Sequence, residues 1–419
     1  MRKRLLTIAL VWAALRAAAQ APPPAPDSAY TKQTISRTDI RLLLSHYRQQ
    51  GRHSAVTGGE GTEELVVSAP ELAVTYQPDS IVTVQATAGV DVITSASTDR
   101  IDFVLSSASR VDYRGHVSVD YSRRLRNPRV RVGIQSGASL ESDYFSLPAG
   151  VTVAHQRADG SREISLGVQA FFDDLRWGRV NPDYFRPAQL IYPVELRDRE
   201  WFDTYRRTSL NLTPALTQVI NRRLRLALYP GLTYQHGLLA TPFHRVYFND
   251  SARTLKVENL PRARWKLPLG AQLNWFGPHQ VVIRTYYRFY WDSFGLSAHT
   301  VQLETPFRLT PFVTVSPLAR LYRQTAARYF RPYAAHSLAA EFYTSDYDLS
   351  AFTSYDLGLT LRYAPYKALR GNYSFQAFDV RYSYYKRSDG LSAHTISLVV
   401  EVLKTRRGES GVARLGTKR

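Results

Sequence analysis

Residues Gln280–Phe307 read QVVIRTYYRFYWDSFGLSAHTVQLETPF. Val281, Ile283, Thr285, Tyr287, Phe289 and Trp291 share one parity, and Gln280, Arg284, Tyr286, Arg288, Tyr290 and Asp292 share the other. After the turn Asp292-Ser293-Phe294-Gly295, Val301 and Leu303 alternate with Gln302 and Glu304. Side chains alternate across a strand, so both arms have one apolar and one polar face. Each arm runs roughly 10 residues, the length a tilted strand needs to cross a bilayer (~9–11). The aromatics at one end suit an interfacial girdle. The pattern predicts a hairpin in the wall of a membrane barrel.

Composition supports this. The chain has 419 residues, with 27 Tyr and a single Met. No stretch of about 20 apolar residues occurs, which excludes a helical span. There is no cysteine, which removes disulfides, thiolate catalysis and cysteine-ligated metals. The formal charge is +19. Cleaving off Arg2, Lys3, Arg4 and Arg16 with a leader still leaves a basic chain. The arginines are dispersed and no nucleic-acid motif is present, so nucleic acid is not an expected partner. Lumen lining, ion pairing and anionic lipopolysaccharide are the expected uses of this charge, and an excess of lumenal cations favours anions.

Residues 1–19 read as a signal peptide for Sec-type export: a basic start, an apolar run Leu5–Leu15, and a small-residue cleavage site. Residues 20–79 are expected to be a Pro-rich leader and an N-terminal periplasmic or plug segment. Within it, Ile40, Leu43, Leu44 and Tyr47 predict an amphipathic helix over Thr38–Gln50. Gly58, Gly59 and Gly61 predict a segment inside or under the barrel. Leu65–Tyr76 has strand character but contains Pro70. From Ser80 alternation is regular, and residues 80–404 are expected to be the transmembrane barrel. Turns are predicted at Asn127-Pro128, Ala158-Asp159-Gly160, Asn221-Arg222, Gly277-Pro278 and Thr310-Pro311. Long connections at Asp173–Tyr205, Gly237–Pro261 and Thr325–Asp356 fall on one side. Residues 405–419 are expected to be a basic tail. The fold class is all-β: an up-and-down antiparallel transmembrane β-barrel of about 14 strands, with 16 possible, the count changing if Leu65–Tyr76 joins the wall.

On the polar parity stand Asp91, His116, Asp120, Arg131 and Glu163, then Arg223, Arg225 and Lys266. Arg284, Arg288, Glu304, Arg381 and Glu401 complete the set of expected lumen-lining charges. Buried charges must pair, so opposed rows are expected to crosslink and narrow the lumen. The hexapeptide Gly295–Thr300 (GLSAHT) recurs at Gly390–Thr395. Each copy follows an acidic turn residue, Asp292 or Asp389. Imidazole and carboxylate are suitable ligands for a divalent metal. His299, His394, Asp292 and Asp389 are therefore the candidate metal site at the extracellular rim, with His336, Asp346 and Asp348 of the intervening loop in reach. The alternative is duplicated hairpin structure whose Ser, His and Thr satisfy turn backbone groups. No other cofactor is expected. Ser297 and His299 share a parity, but no pattern singles out a nucleophile, so no catalytic residue is assigned and an enzyme is not expected.

Three runs carry a family resemblance: HSAVTGGEGTEEL (His53–Leu65), SASTDRIDFVLSSASR (Ser95–Arg110) and YWDSFGLSAHTVQLE (Tyr290–Glu304). They resemble an uncharacterised bacterial outer-membrane β-barrel family, domain of unknown function 3570, common in Bacteroidetes. The resemblance spans about His53 to Leu403. It implies a barrel in the outer membrane of a Gram-negative bacterium, with no established activity or catalytic residues. It also implies a neighbourhood of a periplasmic thioredoxin-like protein, a small lipoprotein and a flavin transferase. The expected function is a conduit, or the membrane anchor of a periplasmic redox or metal-handling assembly. A rim metal- or ligand-binding receptor comes next, and a barrel-embedded hydrolase third. Expected partners are outer-membrane lipid, lipopolysaccharide and the barrel-assembly machinery, with the thioredoxin-like protein and lipoprotein beside them.

Overall fold

The computed structural model describes residues 35–96, 112–141, 144–175, 206–241, 244–278, 281–365 and 367–407. The signal peptide, the Pro-rich leader before residue 35, most of the 173–205 connection and the tail beyond residue 407 lie outside the described residues.

The wall strands are β1 (Ile35–Gly51), β2 (Glu63–Gln77), β3 (Val82–Ala96), β4 (Asp112–Arg124), β5 (Val130–Leu140), β6 (Phe145–Gln156), β7 (Arg162–Asp174) and β8 (Arg206–Asn221). There follow β9 (Leu224–Pro230, resumed at Leu232–Gly237), β10 (Ala263–Phe276), β11 (Val282–Asp292) and β12 (Ser297–Glu304, resumed at Phe307–Thr310). The wall ends with β13 (Val313–Gln324), β14 (Phe352–Tyr363), β15 (Tyr373–Arg387) and β16 (Ser392–Arg407). Each pairs antiparallel with the next, and β1 pairs with β16, closing a 16-strand barrel. No α-helix occurs among the described residues.

Alternation explains the wall. Val117 and Val119, Ile164, Leu166 and Val168, Val301 and Leu303, and Leu357, Leu359 and Leu361 are all exposed on its outside. Water would not tolerate so large an apolar surface on a monomer; lipid does. Trp265 and Trp291 are exposed near the end that carries the long connections, and Trp275, Phe276 and Phe312 near the other. Trp265 and Trp275 share β10, about 25 Å apart along the barrel axis at ~3.4 Å per residue and ~40° tilt. That is the height of a lipid-facing band between two aromatic girdles.

The N-terminal region departs from expectation. Thr38–Gln50 is strand β1, not a helix, and Leu65–Tyr76 lies in strand β2. The barrel thus starts at Ile35, within the stretch expected to be leader and plug, and has two strands more than the count from Ser80. The physical reason is the period: Leu42 and Leu44 are exposed outward beside Ile40, a period-two set, while Tyr47 hydrogen-bonds Gln49 on the inner face. Pro70 faces out, opposite Leu44, and the β2–β3 register skips Ala69 and Pro70. A missing N–H costs one ladder bond there, not the strand. At the other end, strand β16 runs to Arg407 and takes in the first residues assigned to the tail.

Short turns join the strands at the end where Ile35 and Arg407 lie; the connections after β1, β9 and β13 lie at the other end. The largest fully buried side chains, Phe248, Phe294, Val246, Thr344, Asp292 and Ser345, belong to those connections and to the tip of the β11–β12 hairpin. Leu238, Ala240 and Leu260 pack with Phe294, Leu296, Ala298 and Ala327 in one apolar cluster. Val246, Phe248 and Tyr343 form another. Among the described residues the buried apolar clusters therefore sit in the loops, while the wall strands bury only scattered residues such as Ala377, Val399 and Leu403.

Candidate functional site: the loop assembly and the lumen

Three connections build the loop assembly. The β9–β10 and β13–β14 connections bridge through Phe248↔His336 and Asn259↔Tyr343. The Gly-rich β1–β2 connection packs against both: a Cβ on Gly58 would meet the Tyr247 ring at 2.6 Å, and one on Gly59 the Ser345 carbonyl at 2.9 Å. Both glycines have positive φ, 81° and 92°, so bare backbone is required twice over. The glycines were expected inside or under the barrel. They are buried at its long-loop end instead, because β1 and β2 are wall strands and the segment joins their tops. His53 stacks on Tyr347 at 3.7 Å.

The β13–β14 connection also reaches into the barrel. Gln324 Nε2 donates to the carbonyls of Asp348 and Ser350 at 2.9 and 2.6 Å. Arg387 Nη1 donates to Asp348 at 2.6 Å, and Nη2 to Asp389 at 2.6 Å. Asp348 then shares a lumenal cavity of about 630 Å³ with Tyr47, Arg288, Arg320, Tyr322 and Tyr385. A second cavity, about 560 Å³, lies toward the short-turn end among Arg37, Arg41, Thr75, Gln85, Arg362 and Glu401.

The expected lumen charges alternate away from the exposed apolar face, with one exception. Arg223 sits in the β8–β9 turn, its N–H donating to Asn221 Oδ1, and not on the wall. The pairs do not crosslink the lumen. Asp91 pairs with Arg114 (3.3 Å), Arg284 with Glu304 (3.3 Å), and Arg362 with Asp379 (2.7 Å), each between adjacent strands in register. Arg362 also bonds Glu401 at 2.6 Å, and His116 lies 3.5 Å from Glu71, each across one intervening strand and not across the lumen. Adjacent strands bring such pairs within reach at ~4.5–5.5 Å between Cβ atoms, far closer than the opposite wall. Asp120 and Glu163 lie on the inward parity, Lys266 stands opposite Asp292 across β10–β11, and Arg381 donates to Thr360 Oγ1. Among the described residues Arg131, Arg225 and Arg288 have no carboxylate within 4 Å.

The GLSAHT copies are equivalent hairpins. Tyr287 and His299 Nδ1 are hydrogen-bonded at 2.8 Å, as are Tyr382 and His394 Nδ1. Both histidines face outward. They stand on β12 and β16 with three strands between them, about 19 Å of wall at ~4.8 Å per strand. Asp292 is fully buried, accepting from Arg264 (2.5 Å), Tyr290 (2.9 Å) and the N–H of Phe294 (2.9 Å). Asp389 accepts from Arg387 and from the N–H of Leu391. The structure does not bring the four candidate ligands together: parity sends the histidines to the outer face and Asp292 inward, and Asp389 lies in the β15–β16 turn, held by Arg387. Ser297 Oγ faces Thr325 Oγ1 at 3.3 Å, and no hydrogen bond joins it to His299.

A different cluster does converge. His244 and Glu258 of the β9–β10 connection and Asp346 of the β13–β14 connection each present one ligand atom within 4.8 Å of the others. Of these, only Asp346 was singled out in the sequence. His244 and Glu258 carry no local motif, and only the docking of two loops unites them. Burial alone would push the His244 imidazole down, but Glu258, Asp346 and Asp348 outweigh it and lift it to about 9. Asp346 is itself raised, chiefly by burial, with His244 opposing. His336 is structural: its Nε2 bonds the Thr344 carbonyl at 3.0 Å between Phe248 and Tyr343.

A closed antiparallel wall with a lipid-matched exterior and a polar, water-accessible interior defines a transmembrane β-barrel. Residues 9–396 match the family described as "Protein of unknown function (DUF3570)", and the chain belongs to it. A search of curated proteins found no match. Similar solved structures include a BenF-like porin from Pseudomonas fluorescens Pf-5, with 8% identity and a TM-score of 0.39 over 88% of this chain and 99% of that one. The outer membrane protein OprD from Pseudomonas aeruginosa shows 9% identity and a TM-score of 0.39 over 88% and 94%. A bacterial polysaccharide outer membrane secretin shows 9% and 0.42 over 88% and 98%.

Proposed function

We propose that the protein is an outer-membrane conduit for small polar solutes, with a preference for anions and a mouth narrowed by its own folded loops. The observation that carries this reading is the pair of arginine-bearing cavities, about 630 and 560 Å³, inside one closed wall. Barrels of 16–18 strands are wide enough to leave an aqueous channel. Arg131, Arg225 and Arg288, without acidic partners, give the lumen its excess positive field, and fixed cations select for anions.

The test is conductance of the purified protein in planar bilayers under a salt gradient. The expected result is a small, steady conductance with an anion-selective reversal potential. In Arg225→Glu/Arg288→Glu that potential should move toward cation selectivity. A silent bilayer would reject the conduit. The barrel would then be read as the membrane anchor of a periplasmic assembly, with the thioredoxin-like protein and lipoprotein as the partners to seek.

A further inference from the structure

The His244–Glu258–Asp346 cluster has features that an ion-paired histidine does not need. His244 Nδ1 lies 3.7 Å from Glu258 Oε1 and 3.7 Å from Asp346 Oδ2. Those separations are too long for hydrogen bonds. They are close to the ~3.3–3.6 Å between ligand atoms around a tetrahedral cation with bonds of ~2.0–2.2 Å. Nδ1 is wholly sealed from solvent and has no hydrogen-bond partner. A buried polar atom in that state calls for an explanation, and an ion at the centre of the triangle supplies one.

The carboxylates are held as ligands are held. Glu258 is 3% exposed. Its Oε1 accepts from the Thr344 hydroxyl at 2.5 Å and its Oε2 from the Thr241 N–H at 2.6 Å. Each oxygen keeps a lone pair, and the orientation toward His244 is fixed by outer hydrogen bonds, the usual support of a metal ligand. Asp346 Oδ1 accepts from the Asp348 N–H at 2.9 Å, which leaves Oδ2 turned to the imidazole. A cavity of about 110 Å³ adjoins the cluster, lined by His53, Glu63, His244, Asp346, Asp348 and Arg387. It has room for water ligands and for entry. Arg387 does not oppose a cation strongly there, since Asp348 and Asp389 already pair with it.

We propose that His244 Nδ1, Glu258 and Asp346 form a divalent transition-metal site, of zinc type, that ties the β9–β10 and β13–β14 connections together across the barrel mouth. One nitrogen and two carboxylate oxygens suit zinc, cobalt or manganese better than magnesium. A metal at Nδ1 displaces the imidazole proton, and the two carboxylates then present a double negative charge that a divalent ion neutralises. The site stands whether or not the barrel conducts.

The test is calorimetric titration of the chelator-stripped, detergent-folded full chain with Zn²⁺, with Mg²⁺ as control. Folding of each variant is checked by its heat-dependent shift on gels. Wild type should bind one equivalent of Zn²⁺, and His244→Ala should lose more than ~100-fold in affinity, the upper range for losing a mere outer partner. Thr344→Val, which removes the hydroxyl that donates to Glu258 and accepts from the Asp346 N–H, should lose ~10-fold. Should His244→Ala fail to fold, the isosteric Asp346→Asn carries the test with the same expectation as His244→Ala. The proposal is overturned if wild type takes up no stoichiometric Zn²⁺, or if His244→Ala and Asp346→Asn bind it as tightly as wild type.

Discussion

Single residues in this barrel are governed by parity and by which neighbour the register supplies. Leu269 and Gln272 are three positions apart on β10 yet face opposite media: Leu269 is exposed on the outer wall, while Gln272 donates to Asn274 inside. Leu269→Arg should cost ~2–4 kcal/mol near the bilayer midplane, and Gln272→Arg should be mild. Urea unfolding in lipid vesicles measures both, and equal losses would mean the face assignment is wrong. The duplicated hairpin gives a second case. Asp292 and Arg387 occupy equivalent positions ahead of the two GLSAHT copies, with opposite charge. Each is buried and each found a partner of the other sign, Arg264 in one case, Asp348 and Asp389 in the other. Removing one member of such a pair strands the other. Asp292→Ala should therefore destabilise by about 3 kcal/mol, the low end for a buried pair. Arg264→Met in the same chain should recover part of that loss in the same unfolding assay; no recovery would place the cost in the lost turn bonds to Phe294 and Leu296 instead.

At the scale of elements, a register that ties each strand to the next also assigns each connection to one end. The connections after β1, β9 and β13 fall together at the end opposite the start of β1 and the end of β16, as short-turn and long-loop ends separate in such barrels. Where a tag is tolerated depends on packing within the loop. Ser345 and Ser350 are buried, whereas Leu338 is 50% exposed and the Ser251–Arg253 tip lies open. Epitopes inserted at Ser251 and at Leu338 should be read on intact cells, and one at Gly160 only after permeabilisation. The reverse pattern of labelling would invert the barrel in the membrane.

For the whole molecule, the division of labour is between a wall that needs no core and a loop assembly that has one. The wall is held by its closed ladder and by lipid, so the lumen can remain polar. The loops bury Val246, Phe248, Phe294 and Tyr343, and through Asp348 they intrude on the larger lumenal cavity. Replacing residues 331–343 with a short Gly-Ser linker removes the Tyr343 contact to Asn259 and the His336 bridge. Single-channel conductance should rise while the wall still folds. If a folded barrel lacking that segment conducts no better than wild type, the restriction lies in the wall-borne arginines rather than the loops.

Period-two alternation was enough to define the barrel, its turns and the shared side of the two described long connections after β9 and β13, because a strand's two faces must differ when one meets lipid and the other water. It failed where a short apolar set fits two periods: Ile40, Leu42, Leu43 and Leu44 allow a helix as readily as a strand, and only pairing with β2 and β16 decides between them. The GLSAHT repeat was legible as a repeat, but its neighbours were not. Parity alone turns His299 outward and Asp292 inward, and a motif quoted as a string hides that. Arg223 looked like a wall residue until the turn claimed it. His244, Glu258 and Asp346 lie on two loops with the whole β10–β13 wall between them in sequence. No spacing rule joins residues whose distance is set by loop packing, so the cluster exists only in the tertiary structure, where two small apolar cores dock one connection on the other.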